Sequence, residues 1–162
     1  MTGIAFTPFE TRVGTIVRLA RQADALGLDR VQVAETPTYN ALLVLAEIAA
    51  WTASIEVGTL TAQAGVAPAA TALQRASRGR LVLGVGPSIG TLSTLRARLD
   101  GHVPLALAAH APEAIRIAGG LADEWAPTPW PRSRLAEGRA LLRGGRRPVA
   151  PPAAPRPILP PP

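Results

Sequence analysis

The sequence predicts an α/β chain, a partial TIM-barrel-like (βα) repeat of about five to six parallel strands that does not close. Two observations lead there. A short apolar run, closed by a small or polar residue and followed by helical periodicity, recurs four times in the first 90 residues: Gly3-Ile4-Ala5-Phe6-Thr7, Arg30-Val31-Gln32-Val33-Ala34-Glu35, Ser54-Ile55-Glu56-Val57-Gly58-Thr59 and Arg80-Leu81-Val82-Leu83-Gly84-Val85-Gly86. Val- and Ile-rich runs alternating with helices mark βα units and a parallel sheet. The second observation is length: a complete eightfold barrel takes about 250 residues and rarely fewer than ~200, whereas this chain has 162. The chain still suffices for one core, and its 48% apolar and 17% charged composition is globular. In such sheets function gathers at the C-terminal strand ends, here Thr7, Glu35, Thr59 and Gly86.

Taken in order, the first run is followed by Val13, Ile16, Val17, Ala20 and Ala23 at helical spacing, stopped by Gly27 with Leu28 placed to pack back. Asn40 is a good N-cap for a helix through Leu42, Leu45, Ala46, Ile48 and Ala49 to about Trp51. A third helix is expected over 68–78, ending at Gly79. After the fourth run come Ile89 to Gly101, then a fifth apolar run, Val103 to Ala109. Pro112 and Glu113 open another helix, Pro at the first turn and Glu complementing the dipole. The short Trp125-Ala126-Pro127 is the sixth strand candidate.

Charge divides the chain. Residues 1–131 carry ten Arg against ten Asp or Glu, and residues 132–162 carry seven Arg against Glu137 alone, so the net +6 belongs to the C-terminal stretch. This gives three parts: a βα domain over 1–131, an Arg-rich helix over 132–147 and a Pro-rich tail over 148–162, where eight of fifteen residues are Pro and disorder is expected. A balanced main domain gives no reason to expect a nucleic-acid partner, and a solvated face is the simpler reading of the Arg-rich helix. With no Cys, disulfides and thiolate metal sites are excluded. No signal peptide and no window of about 18 apolar residues is seen, so a cytoplasmic protein without a membrane span is expected.

The chemistry-bearing candidates each have two readings. Gly84-Val85-Gly86-Pro87-Ser88 offers free N–H groups to a phosphate, but its glycines also suit a plain turn, and its spacing is not that of a dinucleotide fingerprint. Glu35 ends the second run, where a carboxylate in a cleft serves as acid, base or ring partner; equally it pairs with Arg80 or another Arg. Thr59 offers a hydroxyl or is a satisfied strand-end Thr. His110 precedes a helix N-terminus, a good place for an anion. No Ser-His-Asp order, metal-ligand cluster or paired carboxylate stands out.

Together these segments resemble the bacterial-luciferase-like flavin- or deazaflavin (F420)-dependent oxidoreductases over roughly residues 3–140. The resemblance rests on Ala5-Phe6, on Ala20 through Asp29 leading into Val33-Ala34-Glu35, on Ile55 through Thr59, on Leu73 through Gly86, on Val103 through Ala109 and on Ile117 through Trp125. It implies a reduced FMN or F420 at the C-terminal strand ends, serving monooxygenation or hydride transfer to a small organic substrate. Phe6, Glu35, Thr59 and Leu60 would line the ring, with Thr59-Leu60 near the position where relatives carry a strained bulge. Gly84, Val85, Gly86 and Ser88 would lie beside ring and ribityl chain, and His110-Ala111 at the phosphate. Glu35 is the best catalytic candidate.

The sequence departs from the family at Thr36, His110 and Ala111. It also has Glu124 where relatives commonly have Gly, and only 14 residues between Ser88 and Val103, where they carry a strand, helices and an insertion. It looks internally shortened and C-terminally truncated. The alternative to an active oxidoreductase is therefore a non-catalytic flavin-binding or assembly remnant, and a homo-oligomer is expected to cover the open sheet edges.

Overall fold

The computed structural model describes residues 2–127 and 131–142; the Pro-rich tail and Arg143 to Arg147 lie outside the described residues. Six strands form one all-parallel sheet in sequential order: β1 (Gly3–Phe6), β2 (Arg30–Val33), β3 (Glu56–Thr59), β4 (Leu81–Val85), β5 (Leu105–Ala108) and β6 (Glu124–Ala126). Helices α1 (Val13–Ala25), α2 (Ala41–Trp51), α3 (Ala67–Ala76), α4 (Ile89–Leu99) and α5 (Pro112–Leu121) are the crossovers, and α6 (Leu135–Leu141) follows β6. The sheet is an open half-barrel.

Local signals act as their chemistry requires. Asn40 accepts from the Leu43 N–H at 3.2 Å, capping α2. Gly27 takes a φ of +71° after α1, and the Leu28 N–H returns to the Ala23 carbonyl. The 14 residues between Ser88 and Val103 leave no break. Ser88 caps them into α4, Leu92, Leu95 and Leu99 bury against the sheet, and β5 pairs directly with β4. One crossover helix suffices to join two parallel neighbours. Past β6, an added Cβ on Gly138 of α6 would overlap the Trp125 ring, so α6 lies directly over the outward side of β6.

Asp24 explains part of the pattern between α1 and β2. Its carboxylate accepts from the Ala53, Ser54 and Ile55 N–H groups and the Ser54 hydroxyl, fixing the loop into β3. Burial alone would raise its pKa, but those four bonds outweigh it and hold the group at about 2, against an ordinary 3.8. A depressed folded value means stability that is present above the unfolded pKa and lost as pH falls through the folded one. Asp24→Asn should therefore be less stable than wild type at pH 7, with the difference in melting temperature shrinking between pH 4 and pH 2. A difference independent of pH over that window would show that ionisation of Asp24 is not what matters.

The two faces of the sheet differ sharply. Residues on one register line share a face, so Gly3, Arg30 and Glu56 go together, as do Ala5, Gln32 and Gly58. An added Cβ on Gly58 would stand 3.5 Å from Gln32 Cγ, which puts both on the same side. The opposite parity, with Phe6, Val31, Val33, Val57, Leu83, Val85, Leu105 and Leu107, joins the helix residues in one apolar core. Buried Ala34, Val82 and Ala106 stand apart from it, on the inner face.

That inner face is curled into a trough. Laid flat, β2 and β6 would be four strand spacings apart, ~19 Å. Arg30 nonetheless reaches Glu124 across the interior, at 2.6 Å from Nη1 and 2.8 Å from Nη2, while its Nε and Nη2 hold Glu56 at 2.9 and 2.7 Å. Glu124 registers through Ala106 with Gly84, two residues past Val82, and Val82 registers through Gly58 with Gln32, so Glu124 corresponds to Ala34, four residues beyond Arg30 and four strands away. One residue of stagger per strand is the shear of an eight-stranded βα barrel, in which alternate strands contribute successive interior layers. Arg30, Val82 and Glu124 form the lowest layer, then Gly3, Gly58 and Ala106, then Gln32, Gly84 and Ala126. Ala5, Ala108, Ala34 and Gly86 lie above them.

Candidate functional site

The trough is closed below by charge and sparsely filled above. Arg30 is 3% exposed, held by two carboxylates. Apart from Gln32, the inner positions named above that floor are Ala or Gly, so little side-chain bulk stands at the C-terminal end.

A bulge shapes its wall. β3 and β4 pair at Gly58↔Val82 and again at Ala62↔Val85, so three residues of one strand, Thr59 to Thr61, oppose two of the other. The extra residue folds the chain over Gly84, where an added Cβ would overlap the Thr59 carbonyl oxygen and stand 2.8 Å from that of Leu60. The Thr59 hydroxyl donates to the Gly84 carbonyl at 3.1 Å, so it locks the bulge as a satisfied strand-end Thr. Gly86, by contrast, opens on space: its added Cβ would meet only Thr61 Cγ2, at 3.8 Å. The Ser88 N–H bonds the Gly86 carbonyl at 2.7 Å, a tight turn that delivers Ser88 to cap α4.

The remaining candidates sit at this same end in different roles. Phe6 and Val85 point to the helices and are part of the apolar core. Glu35 is exposed, and its Oε2 accepts from the Ala41 N–H at 3.0 Å at the start of α2. Arg80, the alternative partner for Glu35, lies at the opposite end of the sheet. Its guanidinium donates to the carbonyls of Ala49, Thr52, Ile55 and Ser77, so the proposed Glu35–Arg80 pair does not form. Thr36 is buried and accepts from the Thr38 and Tyr39 N–H groups, turning the chain into α2. Burial, then the negative charges of Glu10 and Glu35, raises the pKa of Tyr39, whose hydroxyl donates to the Glu10 carbonyl. His110 is exposed, and Ala111 accepts the first bond of α5 from the Ile115 N–H. The Trp125 Nε1–H donates to the Ala109 carbonyl at 2.8 Å and anchors that turn.

Gln32 was not a sequence candidate. It is 6% exposed, faces the trough and makes no side-chain hydrogen bond among the described residues. The signal that could have found it is polarity at alternate positions: parallel strands buried on both faces read as continuous apolar runs, and Arg30-Val31-Gln32-Val33 does not. Among the described residues no group of His, Cys, Asp and Glu could hold a metal, and no helix is long and apolar enough to cross a membrane.

Solved structures share this fold. The chain is similar to the coenzyme F420 dependent tetrahydromethanopterin reductase from Methanopyrus kandleri, at 15% identity and a TM-score of 0.71, covering 89% of this chain and 60% of that one. An F420-dependent secondary alcohol dehydrogenase in complex with an F420-acetone adduct aligns at 15% identity and a TM-score of 0.68, over 90% and 64%. The oxygenating constituent of 3,6-diketocamphane monooxygenase from the CAM plasmid of Pseudomonas putida, a type II Baeyer-Villiger monooxygenase in complex with FMN, aligns at 15% and 0.65, over 91% and 64%. The chain thus spans under two thirds of the length of each. No curated protein matches it. Residues 1–96, more than half the chain, match the luciferase-like monooxygenase family, and with the half-barrel and its bulge this makes the chain a member of that family.

Proposed function

We propose that this chain binds FMN or F420 in the upper trough and takes part in oxidoreduction of a small organic substrate in the cytoplasm. The observation that carries the reading is the Ala and Gly lining around Gln32, above a closed floor at the C-terminal strand ends. The bulge carbonyls at Thr59 and Leu60 and the Gly84–Gly86 backbone form walls that a flat ring can approach closely. Ser88 and the His110-Ala111 turn lie where the phosphate would go, beside the starts of α4 and α5. Phe6 and Val85 support the wall from behind, and Glu35 holds the start of α2. Bound there, the reduced cofactor supplies the hydride, or activates oxygen, and the chain's own residues orient it and exclude water. Phe9, 93% exposed on the β1–α1 loop, and Ile89 at the start of α4 give the rim apolar surface for an organic substrate.

One observation favours a second reading, binding without chemistry: Glu35 is engaged at α2, and among the described residues the inner strand positions above the floor carry no carboxylate. Titration with FMN and with F420, followed by their fluorescence, tests the first step. Saturable micromolar binding is expected, lost in Gly86→Val at unchanged melting temperature, since that side chain enters open space. Absence of binding to both, in folded protein, would overturn the reading. Turnover with reduced cofactor separates enzyme from binder. A homo-oligomer covering the free edges of β1 and β6 is part of the proposal, and light scattering reads it.

A further inference from the structure

Resting on that reading, we propose that Gln32 is the residue that selects what the trough binds: its side-chain amide hydrogen-bonds a polar edge of the ligand, favouring rings that carry adjacent donor and acceptor groups. Three observations meet at this side chain. It belongs to the inner face, beside Gly58. It is the one long side chain of its layer, whose other members are Gly84 and Ala126. Below it, the Arg30 guanidinium is already taken by Glu56 and Glu124. Its carbonyl and its amino group have no protein partner among the described residues, although the residue is 6% exposed.

Among the described residues no sealed side-chain nitrogen or oxygen lacks a partner, so the Gln32 amide opens on the trough, where a ligand can complete it. An amide presents one acceptor and two donor hydrogens side by side. Its complement is an imide or amide edge, N–H next to C=O, as on the pyrimidine side of a flavin or deazaflavin. An apolar edge would leave the amide unpaired, which is how a polar floor rejects a flat but non-polar competitor.

The test compares wild type with Gln32→Met, which keeps length and removes both hydrogen-bonding groups. Without ligand, Gln32→Met should melt near the wild-type temperature, because it removes no hydrogen bond to the described residues. Binding of FMN, or of F420 if that is the cofactor taken, should weaken by about 5- to 100-fold, the range expected for leaving a ligand polar group unpaired. In wild type, the Gln32 side-chain amide resonance, identified by its loss in the variant, should shift when that same cofactor is added. Equal affinity of wild type and variant, or an amide resonance that does not move, would overturn the role of Gln32 while leaving the cofactor site in place. If wild type binds neither FMN nor F420, the functional reading itself falls and the proposal falls with it. If Gln32→Met melts well below wild type, the amide is a structural partner and the proposal is again overturned.

Discussion

Gly84→Ala should abolish cofactor binding and destabilise the fold together. The added methyl would overlap the Thr59 carbonyl oxygen and crowd that of Leu60, both of them backbone atoms of the bulge. Backbone cannot swing aside as a long side chain can, so β3 must move or β4 must tilt. Either response displaces the wall that the ring is proposed to rest on. Overpacking of this kind costs about 1–3 kcal/mol, sometimes more. In a chain of this size each kcal/mol lowers the melting temperature by about 2–4 °C. Gly86→Ala, two residues on and facing open space, should leave stability unchanged. The pair of melting curves distinguishes a requirement for the bulge from a general intolerance of side chains on β4: equal losses would mean that the bulge geometry is not what Gly84 protects.

Arg30→Met should be among the most destabilising single substitutions in the chain. Arg30 is 3% exposed, and its removal leaves Glu124, at 14%, facing Glu56 across the trough floor without a counterion. Breaking a buried ion pair from one side costs about 3–5 kcal/mol; replacing both partners by apolar groups is often neutral. Glu56 is 39% exposed and keeps access to water, which places the expected loss toward the lower end. The double variant Arg30→Met, Glu124→Leu should recover most of it. Chemical denaturation of the two single variants and the double gives the coupling energy directly. Additive effects would show that the pair across the trough does not hold the curl, and that the helices alone set it.

Much of the fold is written in short-range patterns. Strand runs, the Asn40 cap, the Gly27 stop and Pro112 at the start of a helix are local signals, because each satisfies backbone groups within a few residues of itself. The C-terminal strand ends follow from the same reading, since parallel βα order fixes which end of every strand meets a helix start. The residue types there are equally legible: Gly84 and Gly86 stand out as small residues closing a strand, and Thr59 and Leu60 fall at the bulge that the family resemblance implied.

What each of those residues touches was decided by tertiary structure. Alternation tells which residues share a face but not which face is the trough, so Phe6 and Val85 read as lining residues until the helices claimed their side. The ends of strands do not say which Arg a carboxylate meets: Arg80 went to carbonyls at the end of α2, and Glu35 to an N–H at its beginning. The brace from Arg30 to Glu124 joins residues 94 apart in sequence, a distance over which no periodicity carries information. It exists because the sheet curls with one residue of stagger per strand. By itself, the sequence determined the βα order, the strand ends and the small residues that leave room there. Only the folded chain decided that a charged floor closes the trough and that Gln32 lies above it with no side-chain hydrogen bond among the described residues, because both depend on strands brought face to face by curvature and not by neighbourhood along the chain.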